Sequence, residues 1–403
     1  MIQVEVARIS QPAVNRGRAL PICLIILCQS FQTVSSAGIA LLLPSIRNDL
    51  ALSFTQGGTL AAANIFSYAL MQIPAGYLAD RYGVEKTFII GSFGTTLFCL
   101  TFGLVADHGY AILNQTLAGI FHAFLFQSGL ALQASLFGAE RRATAMGLSM
   151  VAIILGQLLI NSLGPSLSEH FSWRFPFIFF GFAGMLSSLA YLWYGHAFAH
   201  AESSLKLSFI DAFRLFQHPF MWVYGMIQCI RLGIMQGISF WLPSLLIDEK
   251  SLPLAATGLI LALRALLIAP STMLGSYLSD RLRKPTAIME VSLVILAITT
   301  AALVTVGHRG LLIALIFINA IFIQFYFGPL FALPVERYGI RMMATLGGFG
   351  NFFANLGAFS FTYLLGALKD HTGYFRSGFY AITGACLVGL VLTLVLEEMR
   401  RRP

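Results

Sequence analysis

Long apolar runs separated by short polar loops dominate the chain. Each run holds about 20 mostly apolar residues, the length that a helix needs to cross a bilayer. Read in order, the runs cover residues 19–43, 55–79, 86–106, 110–137, 144–167, 174–194, 219–243, 254–279, 286–306, 310–333, 342–367 and 376–397. The pattern predicts an all-α integral membrane protein with twelve transmembrane helices, which we number as spans 1 to 12.

The longest stretch between runs, residues 195–218, lies between spans 6 and 7. It predicts a boundary between a six-helix half at 19–194 and a second at 219–397, with short tails at 1–18 and 398–403. The two halves are predicted to be pseudo-symmetric, because sequence features recur between them at a nearly fixed offset. Tyr-Leu-x-Asp-Arg occurs at 77–81 and again at 277–281, and Leu-Pro-Ser occurs at 43–45 and again at 242–244.

Composition supports lipid as the solvent of this chain. Of its 403 residues, 57% are hydrophobic and 10% are charged, whereas soluble proteins carry about 25% charged residues. The formal charge of +8 does not indicate nucleic-acid binding, because most Lys and Arg residues fall in the loops on one side of the predicted helices. The pattern predicts a multi-pass protein of the inner or plasma membrane. The positive-inside rule then places both termini in the cytoplasm, with the basic loops facing anionic lipid headgroups.

Strongly polar residues are distributed unevenly among the spans. Spans 3, 6 and 12 contain none in their cores, and span 9 has only Glu290 near one end. Because polar groups in hydrocarbon face the bundle interior, we expect spans 3, 6, 9 and 12 to face lipid. The other spans carry polar stripes at helical spacing: Gln29, Gln32, Thr33 and Ser36; Gln115 and His122; Gln157 and Asn161; Gln228 and Arg231; Asn319 and Gln324; Asn351 and Asn355. Glycines 347, 348, 350 and 357 of span 11 predict close helix packing.

These features together resemble the major facilitator superfamily, whose loop between spans 2 and 3 carries Gly-x-x-x-Asp-Arg-x-Gly-x-Arg/Lys-Arg/Lys. The matching residues are Gly76, Asp80, Arg81, Gly83 and Lys86, whereas Glu85 stands where a cation is expected. The resemblance covers the whole chain. It implies transport by alternating access, in which two six-helix halves rock about a central site.

The resemblance also implies a gate on the cytoplasmic side. Asp80 would face the positive N-terminal end of span 11, and Arg81 and Lys86 would reach Glu140 at the end of span 4. Asp280, Arg281 and Glu336 would form the mirrored set. The alternative is that these residues are solvated loop charges that fix the topology.

Two arginines carry the prediction about the substrate. Arg231 lies midway along span 7, and Arg264 lies near the middle of span 8. A buried cation needs a partner, and no Asp or Glu falls in the middle of any span. An anionic substrate, a carboxylate or an oxyanion, would supply the missing charge, because guanidinium geometry suits such groups. The alternative is that the arginines bond helix carbonyls or amide side chains.

Other candidate ligands follow from the resemblance, since spans 1, 4, 7 and 10 line the central cavity of that family. The candidates are Gln32, His122, Gln228 and Gln324, together with Asn64, Asn351 and Asn355 on spans 2 and 11. Arg264 is similar to arginines of oxalate/formate, monocarboxylate and nitrate/nitrite carriers. A carboxylate proton relay is not expected, and His122 either carries a coupling proton or donates a structural hydrogen bond. Exchange with a counter-anion needs neither.

Two further readings remain. One is an efflux carrier of amphipathic compounds, suggested by the 35 Phe residues and opposed by the incomplete Gly164-Pro165 remnant of the antiporter motif. The other is a membrane receptor or scaffold that transports nothing. No nucleotide loop, metal-ligand spacing or nucleophile–base set is visible, and the five cysteines all lie in apolar runs, so we expect no cofactor, no metal and no enzymatic activity. We expect a monomer.

Overall fold

The structure is a computed structural model that describes residues 16–137, 142–194, 217–338 and 343–401. The linker between spans 6 and 7, apart from its last two residues, lies outside the described residues, as do Glu140, residues 1–15 and residues 402–403. Throughout the described ranges, regular structure is helical and occupies all twelve predicted positions. The predicted fold class is therefore confirmed.

The helices of spans 1 to 6 are Arg16–Leu50, Phe54–Tyr82, Val84–Phe102, His108–Phe137, Arg142–His170 and Arg174–Tyr194. Those of spans 7 to 12 are Pro219–Ser244 continued by Leu245–Glu249, Leu254–Leu266 with Ile268–Leu282, Pro285–Thr305, Arg309–Phe325 with Phe327–Tyr338, Met343–Thr372 and Phe375–Arg401. By length and composition alone, eight of the described helices are apolar enough to cross a membrane, those of spans 1, 5 to 10 and 12. We call spans 1–6 the first group and spans 7–12 the second group.

Spans 8 and 10 are each interrupted, which the apolar pattern did not predict. The interruptions fall at Leu267 and at Tyr326. In both spans a proline stands three residues later, at Pro270 and Pro329. Proline lacks an N–H and its ring clashes with the carbonyl four residues earlier, so the regular helix stops at Leu266 and Phe325. The breaks are thus a local consequence of the sequence.

The internal repeat is visible in the backbone. Gly83 links spans 2 and 3 with φ +102°, and Arg283 takes φ +52° at the matching turn between spans 8 and 9. Ala51 and Ser251 both have φ +51° in the turns that follow spans 1 and 7. Non-glycine residues rarely adopt this left-handed region. The equal φ angles of Ala51 and Ser251 show that the two groups repeat this turn as well as the sequence motif, whereas Gly83 (ψ 132°) and Arg283 (ψ 32°) differ in conformation.

Several polar residues bond to neighbouring helices and do not face a common interior. Asn319 donates from Nδ2 to the hydroxyls of Thr299 and Thr300 on span 9, at 3.1 and 3.2 Å. Asn114 of span 4 likewise bonds Thr101 of span 3 at 2.9 Å. The expectation that the polar residues of span 10 surround a central cavity is therefore wrong for Asn319, because its amide holds adjacent helices together.

The glycines of span 11 divide into two kinds. A Cβ at Gly357 would lie 1.9 Å from the carbonyl oxygen of Cys229 on span 7, and one at Gly350 would lie 2.7 Å from the hydroxyl of Tyr224. A Cβ at Gly347 or Gly348 would meet nothing within 4 Å. The close packing predicted for this stretch is confirmed at Gly350 and Gly357 and is wrong for the other two.

The two groups meet at one end of the bundle, which we call the closed end. Arg47 of span 1 pairs with Asp248 of span 7 at 3.6 Å. The ring of Phe54, at the start of span 2, lies 6.0 Å from Trp241 and 5.4 Å from Phe375 of the second group. Farther along span 2, the ring of Phe66 lies 5.7 Å from that of Phe359 of span 11. The next residues on the same face of span 2 are Leu70, Ile73 and Tyr77, which are exposed. The groups therefore separate toward the opposite end.

We expect the Gly357→Ala variant to lower the free energy of unfolding, because a methyl group cannot fit against the Cys229 carbonyl without moving spans 7 and 11 apart. Overpacking of this kind costs about 1–3 kcal/mol. Thermal unfolding in detergent measures the effect. Gly348→Ala on the same helix is the matched control and should be neutral or stabilising, since alanine is the better helix former. Equal losses in both variants would contradict the assigned packing.

Candidate binding cavity

A cavity of ≈120 Å³ lies between the two groups. Spans 1 and 5 of the first group and spans 7 and 8 of the second group supply its walls. The lining residues are Thr33, Ser36, Ala37, Ala40, Gln157, Asn161, Gln236, Ser239, Phe240, Pro243, Leu261 and Arg264. The lining thus combines one cation with six uncharged hydrogen-bonding side chains and contains no carboxylate.

Helical periodicity explains why these residues share one space. On span 1 the lining positions follow the spacing i, i+3, i+4 and i+7, from Thr33 to Ala40. Span 7 repeats the same spacing from Gln236 to Pro243. Such positions form one stripe on a helix. Each stripe faces the other group, so the cavity exists only where the groups adjoin.

Arg264 is buried in the wall of this cavity with only 9% of its surface exposed. Both terminal nitrogens, Nη1 and Nη2, donate to the hydroxyl of Ser239 on span 7, each at 3.2 Å. Its Nε is buried and has no hydrogen-bond partner within the described part of the chain. A guanidinium has five N–H donors, and one hydroxyl cannot satisfy them. The side chain is therefore a buried cation that lacks an anion.

Arg231 lies in a different environment. It is 4% exposed, and its Nε donates to Oε1 of Gln228 at 2.9 Å. Its guanidinium carbon lies 4.8 Å from the ring centroid of Phe327 and 5.9 Å from that of Phe331, both on span 10. Cation–π contact of this kind stabilises a desolvated guanidinium. Arg231 does not line the cavity, so the structure separates the two arginines that the sequence analysis treated alike.

Three other predicted ligands are engaged within their own group. Nδ2 of Asn64 donates to the backbone and side-chain oxygens of Gln115 on span 4, each at 3.2 Å. Gln228 donates to the hydroxyl of Tyr224 at 2.9 Å in addition to accepting from Arg231. Gln324 donates to Sδ of Met235 at 3.4 Å. Each contact joins side chains of one group and lies away from the cavity.

The remaining predicted ligands also lie outside the cavity lining. His122 is 2% exposed, and its Nε2 has no hydrogen-bond partner among the described residues. Gln32 is half-buried, one position before Thr33 of the lining. Asn355 donates to the backbone oxygen of Asn351 at 2.8 Å. Of the nine residues predicted to bind substrate, Arg264 alone lines this cavity.

Gln236 and Ser239 line the cavity but were not predicted as candidate ligands, and Gln157 and Asn161 were noted only as a polar stripe. A signal was available. Gln236, Ser239 and Pro243 follow helical spacing along span 7, on a face that Arg231 does not share. Because Arg231 was the most expensive residue to bury in span 7, the prediction favoured its face over the one that lines the cavity.

The predicted gate is described only in part. Arg81 is exposed and donates to the hydroxyl of Tyr77 at 2.9 Å, and Lys86 is exposed. The side chain of Asp80 and the whole of Glu140 lie outside the described residues. In the second group Asp280 and Arg281 are exposed, and Glu336 pairs with Arg400 of span 12 at 3.0 Å. The mirrored set of Asp280, Arg281 and Glu336 is therefore not assembled here, because Glu336 has a nearer cation.

Comparison with known proteins assigns this chain to a family. The sequence profile of the Major Facilitator Superfamily matches residues 25–362. The Hexuronate transporter of Bacillus subtilis (strain 168) is 22% identical, over 93% of this chain and 94% of its own length. The Probable nitrate/nitrite antiporter NarK1 of Thermus thermophilus is 27% identical, over 59% of this chain and 55% of its own length.

A solved structure shows the same fold. The crystal structure of a bacterial homologue of the human lysosomal transporter Spinster, in an inward-facing and occupied conformation, superimposes with a TM-score of 0.80. It covers 96% of this chain and 98% of that chain at 16% identity. The twelve helices, the repeated turns and the matched profile lead to one conclusion: this chain belongs to the Major Facilitator Superfamily and is a multi-pass membrane transporter, not an enzyme.

Proposed function

We propose that this protein carries a small organic anion, whose carboxylate binds Arg264 in the cavity between the two groups. The observation that carries the proposal is the environment of that side chain. Its guanidinium is buried, its described partner is the hydroxyl of Ser239, and its Nε is unpaired. A carboxylate forms two parallel hydrogen bonds with a guanidinium and neutralises its charge. The solute would therefore supply the hydrogen-bond acceptors and the negative charge that the guanidinium of Arg264 lacks.

The rest of the lining favours a carboxylate that also carries hydroxyl groups. The amides of Gln157, Asn161 and Gln236 and the hydroxyls of Thr33 and Ser36 surround the same space. Side chains of this kind both donate and accept, which suits alcohols on the solute. Sugar acids combine a carboxylate with several hydroxyls. Similarity to a hexuronate transporter over almost its full length supports this class.

A bare oxyanion is the second candidate. The NarK1 match favours it, and a guanidinium also suits nitrate geometry. Nitrate has no hydroxyl groups, however, and would leave most of the uncharged lining without a partner. Buried polar groups without partners disfavour binding. The same polarity disfavours an efflux substrate of amphipathic character, which needs an apolar lining.

Alternating access would follow from the way in which both groups build the cavity. Spans 1 and 5 supply one wall and spans 7 and 8 the other, so a bound solute contacts both halves of the molecule. With the termini in the cytoplasm, as the Lys and Arg distribution predicts, the closed end faces outward and this conformation is open inward. Rocking of residues 19–194 against 219–397 would then expose the site to the other side.

The coupling mode that fits best is exchange against a counter-anion or facilitated passage. Among the described residues, no carboxylate lines the cavity and His122 is buried outside its lining, which disfavours a proton relay next to the solute. We place the protein in the inner or plasma membrane as a monomer among anionic lipids, with both termini cytoplasmic. Lipid and solute are the partners this proposal requires.

Replacement of Arg264 by Gln should strongly weaken solute binding. Purified wild-type protein is expected to unfold at a higher temperature in the presence of D-galacturonate, because a ligand stabilises the state that it binds, and to show no shift with neutral galactose. Loss of a buried charge pair costs about 2–5 kcal/mol, so the dissociation constant should rise roughly 30-fold or more. Arg309→Gln, an exposed cation at the start of span 10, controls for net charge. A shift with galactose but not with galacturonate would refute the proposal.

Replacement of Asn161 by Leu separates the sugar-acid candidate from nitrate. Leucine keeps the branched shape and removes the amide, so binding of galacturonate should weaken about fivefold to tenfold for one lost hydrogen bond. Nitrate, which has no hydroxyl to bind, should be affected little. Competition assays in proteoliposomes compare the two anions. Ser162→Ala, on the exposed face of the same helix, is the control. If nitrate binds tightly and galacturonate does not bind to the wild-type protein, the oxyanion candidate is correct.

The two arginines should differ in their effect on stability without ligand. Arg231→Met removes a hydrogen bond to Gln228 and the contact with Phe327, and should lower the free energy of unfolding by about 1–3 kcal/mol. Arg264→Met removes an unpaired buried charge and should leave stability unchanged or raise it. Thermal unfolding in anion-free buffer compares them. The assignment fails if Arg231→Met is neutral in stability yet loses galacturonate binding.

A further inference from the structure

The backbone N–H groups at the start of span 2 have acceptors from two different parts of the molecule. A helix leaves its first four backbone N–H groups without partners inside the helix. Here the Ser53 hydroxyl accepts from the N–H of Gln56 at 3.1 Å, and the Gln56 side chain accepts from the N–H of Ser53 at 2.9 Å. This capping box satisfies two of the four donors. The N–H groups of Phe54 and Thr55 remain.

Asp370 of span 11 takes both remaining donors. Its Oδ1 accepts from the N–H of Phe54 at 2.8 Å, and its Oδ2 accepts from the N–H of Thr55 at 2.6 Å. A carboxylate at a helix N-terminus is stabilised by both hydrogen bonds and the helix dipole. Span 2 belongs to the first group and span 11 to the second. The cap of one helix is therefore supplied from the opposite half of the molecule.

The neighbouring residue shows a contrast that isolates this contact. Lys369 forms an ion pair with Glu249, and Glu249 also accepts from the N–H of Phe375 at 2.8 Å. All three residues belong to the second group, so their contacts with one another persist when the groups move apart as units. Lys369 also lies 5.2 Å from the ring centroid of Phe54 of the first group. Asp370, one position later, must release both N–H groups of span 2, so of these two adjacent charges Asp370 is the one that hydrogen-bonds across the boundary.

We propose that Asp370 is a gating residue: as a detachable cap of span 2 it holds the closed end shut, and its release is a required step of the transport cycle. The ion pair of Arg47 with Asp248 is a second link across the same end. At 3.6 Å it is longer than either hydrogen bond of Asp370. Water replaces Asp370 at Phe54 and Thr55 when the end opens, which makes the lock reversible.

The arrangement mirrors the gate expected at the opposite end. Asp80 lies in the last turn of span 2, and the helix of span 11 begins at Met343. Asp370 lies in the last turn of span 11, and the helix of span 2 begins at Phe54. Each helix thus ends with an aspartate at the end of the bundle where the other begins. As the transporter changes state, the capping carboxylate would alternate between Asp370 at the end of span 11 and Asp80 at the end of span 2.

Distances between spin labels test the proposal without any solute, so that its outcome is independent of the transported anion. The labels are placed at Ala106 and Gly307, exposed positions in the closed-end loops of the first and second groups, in a background without the five native cysteines. Asp370→Asn should raise the population of long distances roughly tenfold, because an amide cannot accept from both N–H groups and carries no charge. Asp370→Glu should restore most of the short-distance population.

Glu249→Gln is the matched control, since it removes an ion pair and a helix cap at the same end within one group. It should leave the distance distribution unchanged. An unshifted distribution in a folded Asp370→Asn protein, or an equal shift in Glu249→Gln, overturns the proposal.

Amide hydrogen exchange in the protein without substitutions at the gate provides a second measurement if Asp370→Asn does not fold. The N–H groups of Phe54 and Thr55 should exchange only as fast as the closed end opens, and faster in the Asp370→Glu protein if that end opens more often. The opposite result is that these two N–H groups exchange as fast as those of a solvated helix end although the label distances are short. Asp370 would then not hold the N–H groups, and the proposal would be overturned.

Discussion

A hydrogen-bond donor that its own helix or group leaves unpaired needs an acceptor, and this need arises both at the cavity and at the closed end. For a donor buried in a bundle surrounded by lipid, the missing bond costs several kcal/mol. Arg231 meets the requirement within its own group, through Gln228 and the rings of span 10. Arg264 does not, since one serine hydroxyl is its described partner. Position relative to the boundary between the groups, more than depth in the membrane, distinguishes the structural arginine from the one that we propose to bind the solute.

The same reasoning connects the site to the conformational cycle. The N–H groups of Phe54 and Thr55 are donors that their own helix cannot satisfy, and Asp370 reaches them from the other group. In the proposed function, the missing acceptor at the cavity is the solute, and at the closed end it is a carboxylate of the protein. In both places, the proposed interaction between the groups can be exchanged for another.

Much of the architecture was predictable from the sequence, because the bilayer imposes a length on every span and the loop charges are asymmetric. The breaks in spans 8 and 10 were predictable in principle from Pro270 and Pro329. Side-chain partners were not predictable, since periodicity gives the face of a helix but not the helix that packs against it. Asn319 and Asn64 have the same spacing as cavity residues, yet their partners are Thr299, Thr300 and Gln115.

The candidate site shows the same division. Arg264 was identifiable as a cation without a counter-charge. Ser239 was not, because a serine in an apolar helix commonly bonds its own backbone and carries no distinctive signal. The partner of Glu336 in this structure was unpredictable for a related reason: Glu336 lies within reach of Arg400 at the end of span 12, and nothing in the local sequence relates these two residues.

The positive φ angles after spans 1 and 7 have a consequence for the ancestry of the molecule. Ala51 and Ser251 share a φ of +51° in the turns that follow these two spans. Neither side chain gains from that backbone region, and each bears a steric cost that glycine would avoid. Their correspondence is best understood as inheritance: an ancestral unit of six helices was duplicated, and the course of its main chain at this turn was retained in both copies.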